Sequence, residues 1–131
     1  MNQAYFDTCF LLSGEAEHIP DPAFIVTACN PMDQILSVSE NKQRNTSLKK
    51  MITQSGAVCL PITGASQDLS HQEPGFLTNS SKEQVLKWAR NFNQRAVFQI
   101  YRDQLSIIPC REDAEIVDLG SFKKRWVLAS G

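Results

Sequence analysis

The stretch "TACNPMDQILSVSENKQRN", residues 27–45, joins an apolar segment to a polar helix and decides the predicted fold. The apolar segment "AFIVTAC", residues 23–29, is rich in branched and aromatic side chains, which is typical of a buried strand. Asn30-Pro31 ends it, because proline has no amide hydrogen for a sheet ladder and restricts the residue before it. The stretch therefore predicts a strand that passes through a polar turn into a helix.

The helix is predicted to run from about Val38 to Ser55, with Gly56 closing it. Ser37 and Glu40 have the S-x-x-E spacing of a capping box, in which each side chain bonds an otherwise unpaired amide of the first turn. The helix start is therefore expected immediately after Ser37.

The inward side of this helix has an unusual composition. Its apolar positions are Leu48, Met51 and Ile52, and counting back from Leu48 by three and then four positions gives Asn45 and Asn41. Two asparagines are therefore predicted to extend the buried side toward the helix N-terminus.

The remaining elements predict the fold class. They are a strand at 57–63, a short edge strand at 73–78, a helix at about 81–92 capped by Ser80 with Glu83 or Ser81 with Gln84, a hairpin of "AVFQIY" and "LSIIPC" around Arg102-Asp103, and an edge strand in the tail. Residues 4–12 fit a helix or a strand. This order predicts one α+β domain over residues 1–131, with two layers: a mixed or antiparallel sheet of about five strands and two helices packed on it.

Composition limits the classes of partner. The 131 residues carry 13 basic and 14 acidic side chains, and this balance argues against nucleic acid as the main partner, although a local basic patch stays possible. No apolar run reaches the roughly 20 residues that cross a bilayer, so no membrane partner is expected. The N-terminus lacks the pattern of a signal peptide, so a cytoplasmic location is expected, with the four cysteines reduced. The sequence indicates no metal, no cofactor and no particular oligomeric state.

Four segments together resemble a known family. They are "FIVTACNP" (24–31), "SENKQRNTSL" (39–48), "HQEPGFL" (71–77) and "NQRAVFQI" (93–100). Their pattern is similar to that of the bacterial and phage family called domain of unknown function 3293, over about residues 23–110. Two positions depart from the pattern: Cys29 stands where bulky or aromatic residues are common, and Asn93 stands where glycine usually precedes Gln94.

The resemblance implies a small standalone intracellular domain and supplies no activity. It also implies which positions form the family motif, namely Asn30, Pro31, Glu40, Asn41, Asn45, Glu73, Phe76 and Gln94. The polar members are the same side chains whose placement is unusual in the predicted elements.

The first candidate site is the junction between the first predicted strand and the first helix. Asn30, Glu40, Asn41, Asn45 and Gln94 are its candidate ligand-binding residues, since a strand end next to a helix N-terminus is a common place for a small polar or nucleotide-like ligand. The structural alternative is that these side chains hold the turn and cap the helix. Both interpretations remain open from the sequence.

The second candidate is the H-x-E pair of His71 and Glu73. In an extended segment both side chains project from one face, which suits a general base with an orienting partner in a hydrolase-type enzyme. The alternative is an exposed loop histidine and a glutamate with a structural role. A third hypothesis is an accessory protein of a phage or mobile element that binds another protein or nucleic acid, with purely structural motifs.

Overall fold

The computed structural model describes residues 7–12 and 19–128 of the chain, and it contains two α-helices and eight strands within that part. The helices are α1 (Val38–Gln54) and α2 (Lys82–Asn91). The strands are β1 (Cys9–Leu12), β2 (Ala23–Val26), β3 (Leu60–Ala65), β4 (Gln72–Thr78), β5 (Ala96–Tyr101), β6 (Gln104–Pro109), β7 (Val117–Ser121) and β8 (Trp126–Leu128). Short 3₁₀ turns cover Pro31–Asp33 and Lys123–Arg125.

The strands form one mixed sheet in the order β7-β6-β5-β2-β4-β3-β1-β8. Only the β1–β8 pair is parallel among the neighbouring strands of this sheet. The α+β class is confirmed, but the prediction of about five strands is wrong. The strand β8 is the edge strand predicted in the tail, and β1 decides in favour of a strand for the segment 4–12. The strand β7 was not predicted, because its five residues are too few for side-chain alternation to indicate it.

The predicted role of residues 73–78 as an edge strand is also wrong. The strand β4 lies between β2 and β3 and pairs with both. Pro74 lies where β2 has already left the ladder, so its missing amide hydrogen costs no bond on that side.

The sheet curls, as its connectivity requires. The strands β7 and β8 are its two edges, yet only residues 122–125 join them. Four linking residues reach at most about 18 Å, whereas the edges of a flat sheet of eight strands would be about 34 Å apart. Apolar residues therefore fill both sides of the sheet.

One core lies between the sheet and the helices, and includes Phe24, Leu48, Ile52 and Trp88. The other fills the concave side of the sheet, and includes Phe10, Ile25, Leu77, Leu105 and Phe122. All four residues of β2 are buried, since Phe24 and Val26 face one core and Ala23 and Ile25 face the other.

Both helices begin directly after a capping serine. Ser37 and Glu40 form both bonds of the predicted capping box, and the Ser81 side chain accepts from the Gln84 amide. Asn45, Leu48 and Ile52 are the buried residues of α1, so the predicted inward side is confirmed, with an asparagine in it.

The hairpin turn at Arg102 and Asp103 is also confirmed, with both residues at positive φ as a tight two-residue turn requires. The four cysteines carry no disulfide. Within residues 7–12 and 19–128, neither helix has the length and apolar character needed to span a membrane.

Candidate functional site

Asn45 fills a gap where β2 separates from β4. The last register pair is Val26 with Phe76. Beyond it, Asn45 Oδ1 accepts from the Ala28 amide at 2.9 Å, and Asn45 Nδ2 donates to the main-chain oxygen of Pro74 at 2.7 Å. One side-chain amide from α1 thus replaces the ladder between the two strands, which is why β2 ends three residues earlier than predicted.

The main-chain oxygen of Pro74 accepts from several groups. Thr27 Oγ1 donates to it at 2.7 Å, and the thiol of Cys29 lies 3.4 Å away. Burial raises the pKa of Cys29, an effect that bonds from Thr27 and Asn45 only partly oppose, so this thiol stays protonated at neutral pH. Cys29 is therefore part of the hydrogen-bonded frame.

Asn30 and Asn41 bond each other. Asn41 Oδ1 accepts from the Asn30 amide at 2.9 Å, and Asn41 Nδ2 donates to Asn30 Oδ1 at 2.9 Å. Asn30 Oδ1 also accepts from the Leu36 amide at 3.0 Å. These two side chains fix both ends of the segment between the strand and the helix.

Gln94 holds the same segment from the β5 side. Its side chain is 5% exposed, and Nε2 donates to the main-chain oxygens of Cys29 at 2.9 Å and Phe92 at 3.3 Å. Asn30, Asn41, Asn45 and Gln94 are thus brought together, and each bonds main chain around residues 28–36. Such contacts are the ones expected if these four side chains hold the turn and the helix start in place.

Arg44 is a central residue that the sequence analysis missed. Its Nε donates to the Ala28 oxygen at 2.6 Å, its Nη2 donates to the Phe92 oxygen, and its guanidinium lies 5.6 Å from the centre of the Phe92 ring. Arg44 is four positions before Leu48, so the count that found Asn45 could also have found it.

The turn after β2 has a strained backbone. Asn30, Met32 and Asp33 have φ values of 47°, 50° and 64°, a left-handed region that residues other than glycine rarely adopt. The Met32 amide donates to the Asn93 oxygen at 2.8 Å, and Asn93 is also left-handed, with φ of 57°. Such strain persists where surrounding contacts hold it, and it clusters at functional sites.

Two charged groups lie beside this turn. Arg95 Nε donates to Asp33 Oδ2 at 2.8 Å, in an ion pair that is open to solvent. Glu73 at the start of β4 is also exposed, and no hydrogen bond or ion pair joins its side chain to a described residue. Desolvation by the surrounding protein, followed by the charge of Asp33, raises the pKa of Glu73 to about 7.

His71 and Glu73 have different surroundings. His71 precedes β4 in an exposed loop where its amide donates to Ser66 Oγ at 3.1 Å, and its charge contributes to the lowered pKa of Asp68. The charge that acts on Glu73 comes from Asp33 instead. Glu40 also lies outside the cluster, since it is exposed and bonds Ser37.

Two other features were considered as sites. Among the described residues, no group of three or more histidine, cysteine, aspartate or glutamate side chains could hold a metal ion. A shallow depression of about 590 Å³ lies at the seam between β1, β7 and β8, and includes Cys9, Leu119 and Lys124 in its lining. None of the site residues predicted from the sequence lines it.

One comparison with known proteins identifies a family. A family model described as "Protein of unknown function (DUF3293)" matches residues 26–97, which is more than half of the chain and contains the whole cluster. A search of curated proteins found no match, and neither did a search of solved structures. The chain therefore belongs to the family described as "Protein of unknown function (DUF3293)".

Proposed function

We propose that the protein binds a small polar ligand with a basic nitrogen at the junction between β2 and α1, beside Glu73. The observation that carries the proposal is Glu73, an exposed residue whose carboxyl is partly desolvated, has no bond to a described residue and has a pKa raised to about 7. A carboxyl in such a state gains free energy from a cationic partner, because attraction to the positive charge offsets both causes of the shift. Perturbed groups of this kind are enriched at functional sites.

The surrounding amides support this proposal as a frame. Asn41, Asn45 and Gln94 use their side chains on main chain, so we assign them the role of positioning residues. Asn30 uses Oδ1 within the frame, and none of its described bonds involves Nδ2, which leaves that donor for a ligand. A rigid frame around a few free polar groups is the arrangement that binding sites use.

Charge favours a cationic over an anionic ligand. Glu73 and Asp33 place two carboxyl groups at the mouth of the site, and Arg95 balances one of them. An anion would be expected at the N-terminus of α1, but the Glu40 amide there is already bonded by Ser37. We therefore assign Glu73 as the main ligand-contacting residue.

The test is a ligand screen by NMR with small amines, amidines, guanidines and nucleobases at pH 8, where Glu73 is mostly ionised. We expect at least one class to shift the amide signals of residues 27–33, 73–75 and 93–95, and Glu73→Gln to abolish those shifts. Glu112→Gln, an exposed surface glutamate, is the matched control and should leave them unchanged. If no class shifts these signals, or if the Glu73→Gln protein responds like the wild type, the proposal is wrong.

A second candidate function is proton transfer in a hydrolase-type enzyme. The observation that favours it is again Glu73, because a pKa of about 7 suits a general base at neutral pH. His71, two positions before Glu73, would be its orienting partner. A substrate screen should give a pH–rate profile that Glu73→Gln flattens; an unchanged profile in that variant excludes Glu73 as the base.

A further inference from the structure

Charge is divided unevenly between the two helices and the rest of the chain. The helices contain seven basic and two acidic side chains, a net charge of +5, whereas the remaining residues contain six basic and twelve acidic side chains, a net charge of −6. Both helices pack on the same side of the sheet, since α1 contributes Leu48 and α2 contributes Val85 to one core. The near-neutral total of the chain therefore conceals a basic helical layer.

Five of the seven basic side chains in this layer are available to a partner. Arg44 and Arg90 are engaged in the fold, because both donate to main-chain oxygens of their own chain. The other five are exposed lysines that form no ion pair or hydrogen bond with a described residue, namely Lys42, Lys49, Lys50, Lys82 and Lys87.

Three of these lysines form a stripe along α1. Positions 42, 46, 49, 50 and 53 are three or four residues apart, so their side chains are neighbours on one side of the helix, and all five are exposed. Thr46 and Thr53 lie between the lysines, with hydroxyls that donate to main-chain oxygens one turn earlier. We call Lys42, Thr46, Lys49, Lys50 and Thr53 the basic stripe. At 1.5 Å per residue it is about 16 Å long.

The composition of the helical layer distinguishes between classes of anionic partner. A helix that lies on an anionic membrane needs apolar side chains to insert, but Val38 at the start of α1 is the only large exposed apolar residue of the two helices. Protein interfaces are depleted in lysine and enriched in aromatic residues, and single-stranded nucleic acid is bound by stacking on aromatic residues. Trp88, the only aromatic residue of the two helices, is buried.

The phosphate groups of a duplex require none of these features, because lysine charge alone binds them. Over the length of the basic stripe, about 16 Å, duplex DNA presents roughly ten negative charges. Glu40, which belongs to the capping box, is the only acidic residue of α1, so little in the helix opposes such a partner.

We propose that the basic stripe, together with Lys82 and Lys87 of α2, binds the phosphate backbone of a nucleic-acid duplex without reading its sequence. Duplex DNA and duplex RNA share this chemistry. The binding uses none of the residues at the junction between β2 and α1, so it is independent of the ligand proposed there.

The experiment is a fluorescence-anisotropy titration of the whole chain with labelled DNA and RNA duplexes of arbitrary sequence between 50 and 200 mM salt. For three to five contacted phosphates on DNA, the logarithm of the binding constant should fall with the logarithm of the salt concentration with a slope between about −2.7 and −4.5. The affinity should thus drop at least about 40-fold over this range. If neither duplex bound at 50 mM salt, or if binding did not depend on salt, the proposal would be overturned.

A variant of the basic stripe makes the test specific. Lys42→Gln, Lys49→Gln and Lys50→Gln combined should weaken binding at 50 mM salt at least about tenfold and reduce the magnitude of the salt slope by about 2.7. The same three lysines changed to arginine keep their charge and should keep binding; loss of binding in that variant would contradict a role through charge. Circular dichroism should show that both variants are folded, since all three side chains are exposed.

The matched control changes three exposed basic residues outside the helices to glutamine, namely Arg111, Lys123 and Lys124. It alters the net charge by the same amount and should bind the duplex nearly as well as the wild type. A loss as large as that of the basic-stripe variant would show that total charge, not the helical layer, attracts the duplex, and would overturn the proposal.

Two further probes separate the other partner classes. Single-stranded DNA of the same length, and vesicles containing phosphatidylserine at the same phosphate concentration, should both bind more weakly than the duplex. Tighter binding to either probe would overturn the assignment of a duplex as the partner.

Discussion

Asn45 on α1 donates from Nδ2 to the main-chain oxygen of Pro74 at 2.7 Å, a contact between residues 29 positions apart. The same amide accepts from Ala28 through Oδ1, and its side chain is 9% exposed. Asn45 therefore links a helix to two strands at the point where those strands separate. No ladder bond joins β2 to β4 beyond Val26, so side chains, chiefly those of Asn45 and Thr27, hold the two segments together there.

We predict that Asn45→Ala lowers the free energy of unfolding by about 1–3 kcal/mol, because it leaves the Ala28 amide buried without its partner. Chemical denaturation monitored by circular dichroism measures the change. Asn91→Ala is the matched control, since Asn91 is an exposed asparagine of α2, and it should stay within about 0.5 kcal/mol of the wild type. Equal stability of the two variants would show that the hydrogen bonds of the Asn45 side chain contribute nothing to the free energy of unfolding.

Gly75 gives a prediction about close approach between strands. A Cβ atom added there would lie 2.7 Å from the Val26 oxygen and 3.1 Å from Thr27 Cβ. The main chain would have to move to relieve this clash, which costs free energy. We predict that Gly75→Ala costs about 1–3 kcal/mol of unfolding free energy, measured by thermal and chemical denaturation.

Gly64 is the control for Gly75 within the same sheet. An added Cβ at Gly64 has its nearest contact at 3.5 Å, with the Thr8 side chain. Gly64→Ala should therefore be neutral or stabilise the protein by up to about 1 kcal/mol, since alanine loses less entropy on folding. A loss of stability at Gly64 as large as that at Gly75 would contradict the steric explanation.

The sequence was most informative where local chemistry determines structure. The helix caps, the inward side of α1 and the hairpin at Arg102-Asp103 each depend on residues a few positions apart, and all were predicted. The edge strand in the tail was predicted too, and β8 confirms it, whereas β7 was not predicted and β1 was left open between helix and strand, because the pairing of these strands depends on the curl of the whole sheet.

The candidate site shows the same division. The sequence identified the asparagines of α1 as unusual, because counting positions along a helix shows which polar residues fall on its apolar side. It did not identify Asp33 as a neighbour of Glu73 or Arg95 as the partner of Asp33, because these residues are far apart in sequence and meet only through the fold. That His71 and Glu73 act together stays a prediction.

Asp103 gives a prediction about pH. It accepts from Ser121 Oγ and, at 2.9 Å, from the Lys123 amide, and so ties the β5–β6 turn to the segment between β7 and β8. The bond from Ser121 is the main reason why the pKa of Asp103 is lowered. The stabilisation it provides is therefore complete above the ordinary aspartate pKa of about 4 and is lost as the pH falls through the lowered value.

We predict that Asp103→Asn lowers the free energy of unfolding at pH 7 by less than about 1 kcal/mol, since solvent screens this site. The difference from the wild type should shrink as the pH falls below about 4, and should vanish once the carboxyl of the folded wild type is protonated as well. Denaturation at pH 7 and pH 3 measures both values. Glu112→Gln should show no difference at pH 7, and an Asp103→Asn effect of equal size at both pH values would rule out the charge as its source.

Asn93 provides the last prediction, at a position where the family resemblance implies glycine. Its φ of 57° lies in the region where glycine is free of strain and asparagine is tolerated, so the backbone of this turn accepts either residue. Asn93→Ala should cost about 1 kcal/mol, because alanine has neither glycine's freedom nor asparagine's local hydrogen bonding. Asn93→Gly should stay within about 0.5 kcal/mol of the wild type, since relief of strain offsets the greater entropy of the unfolded chain.

Urea denaturation measures both changes in unfolding free energy, and the Met32 amide signal reports whether its bond to the Asn93 oxygen is kept. If alanine were tolerated as well as glycine, the left-handed conformation at this turn would not be the reason for the residue found there.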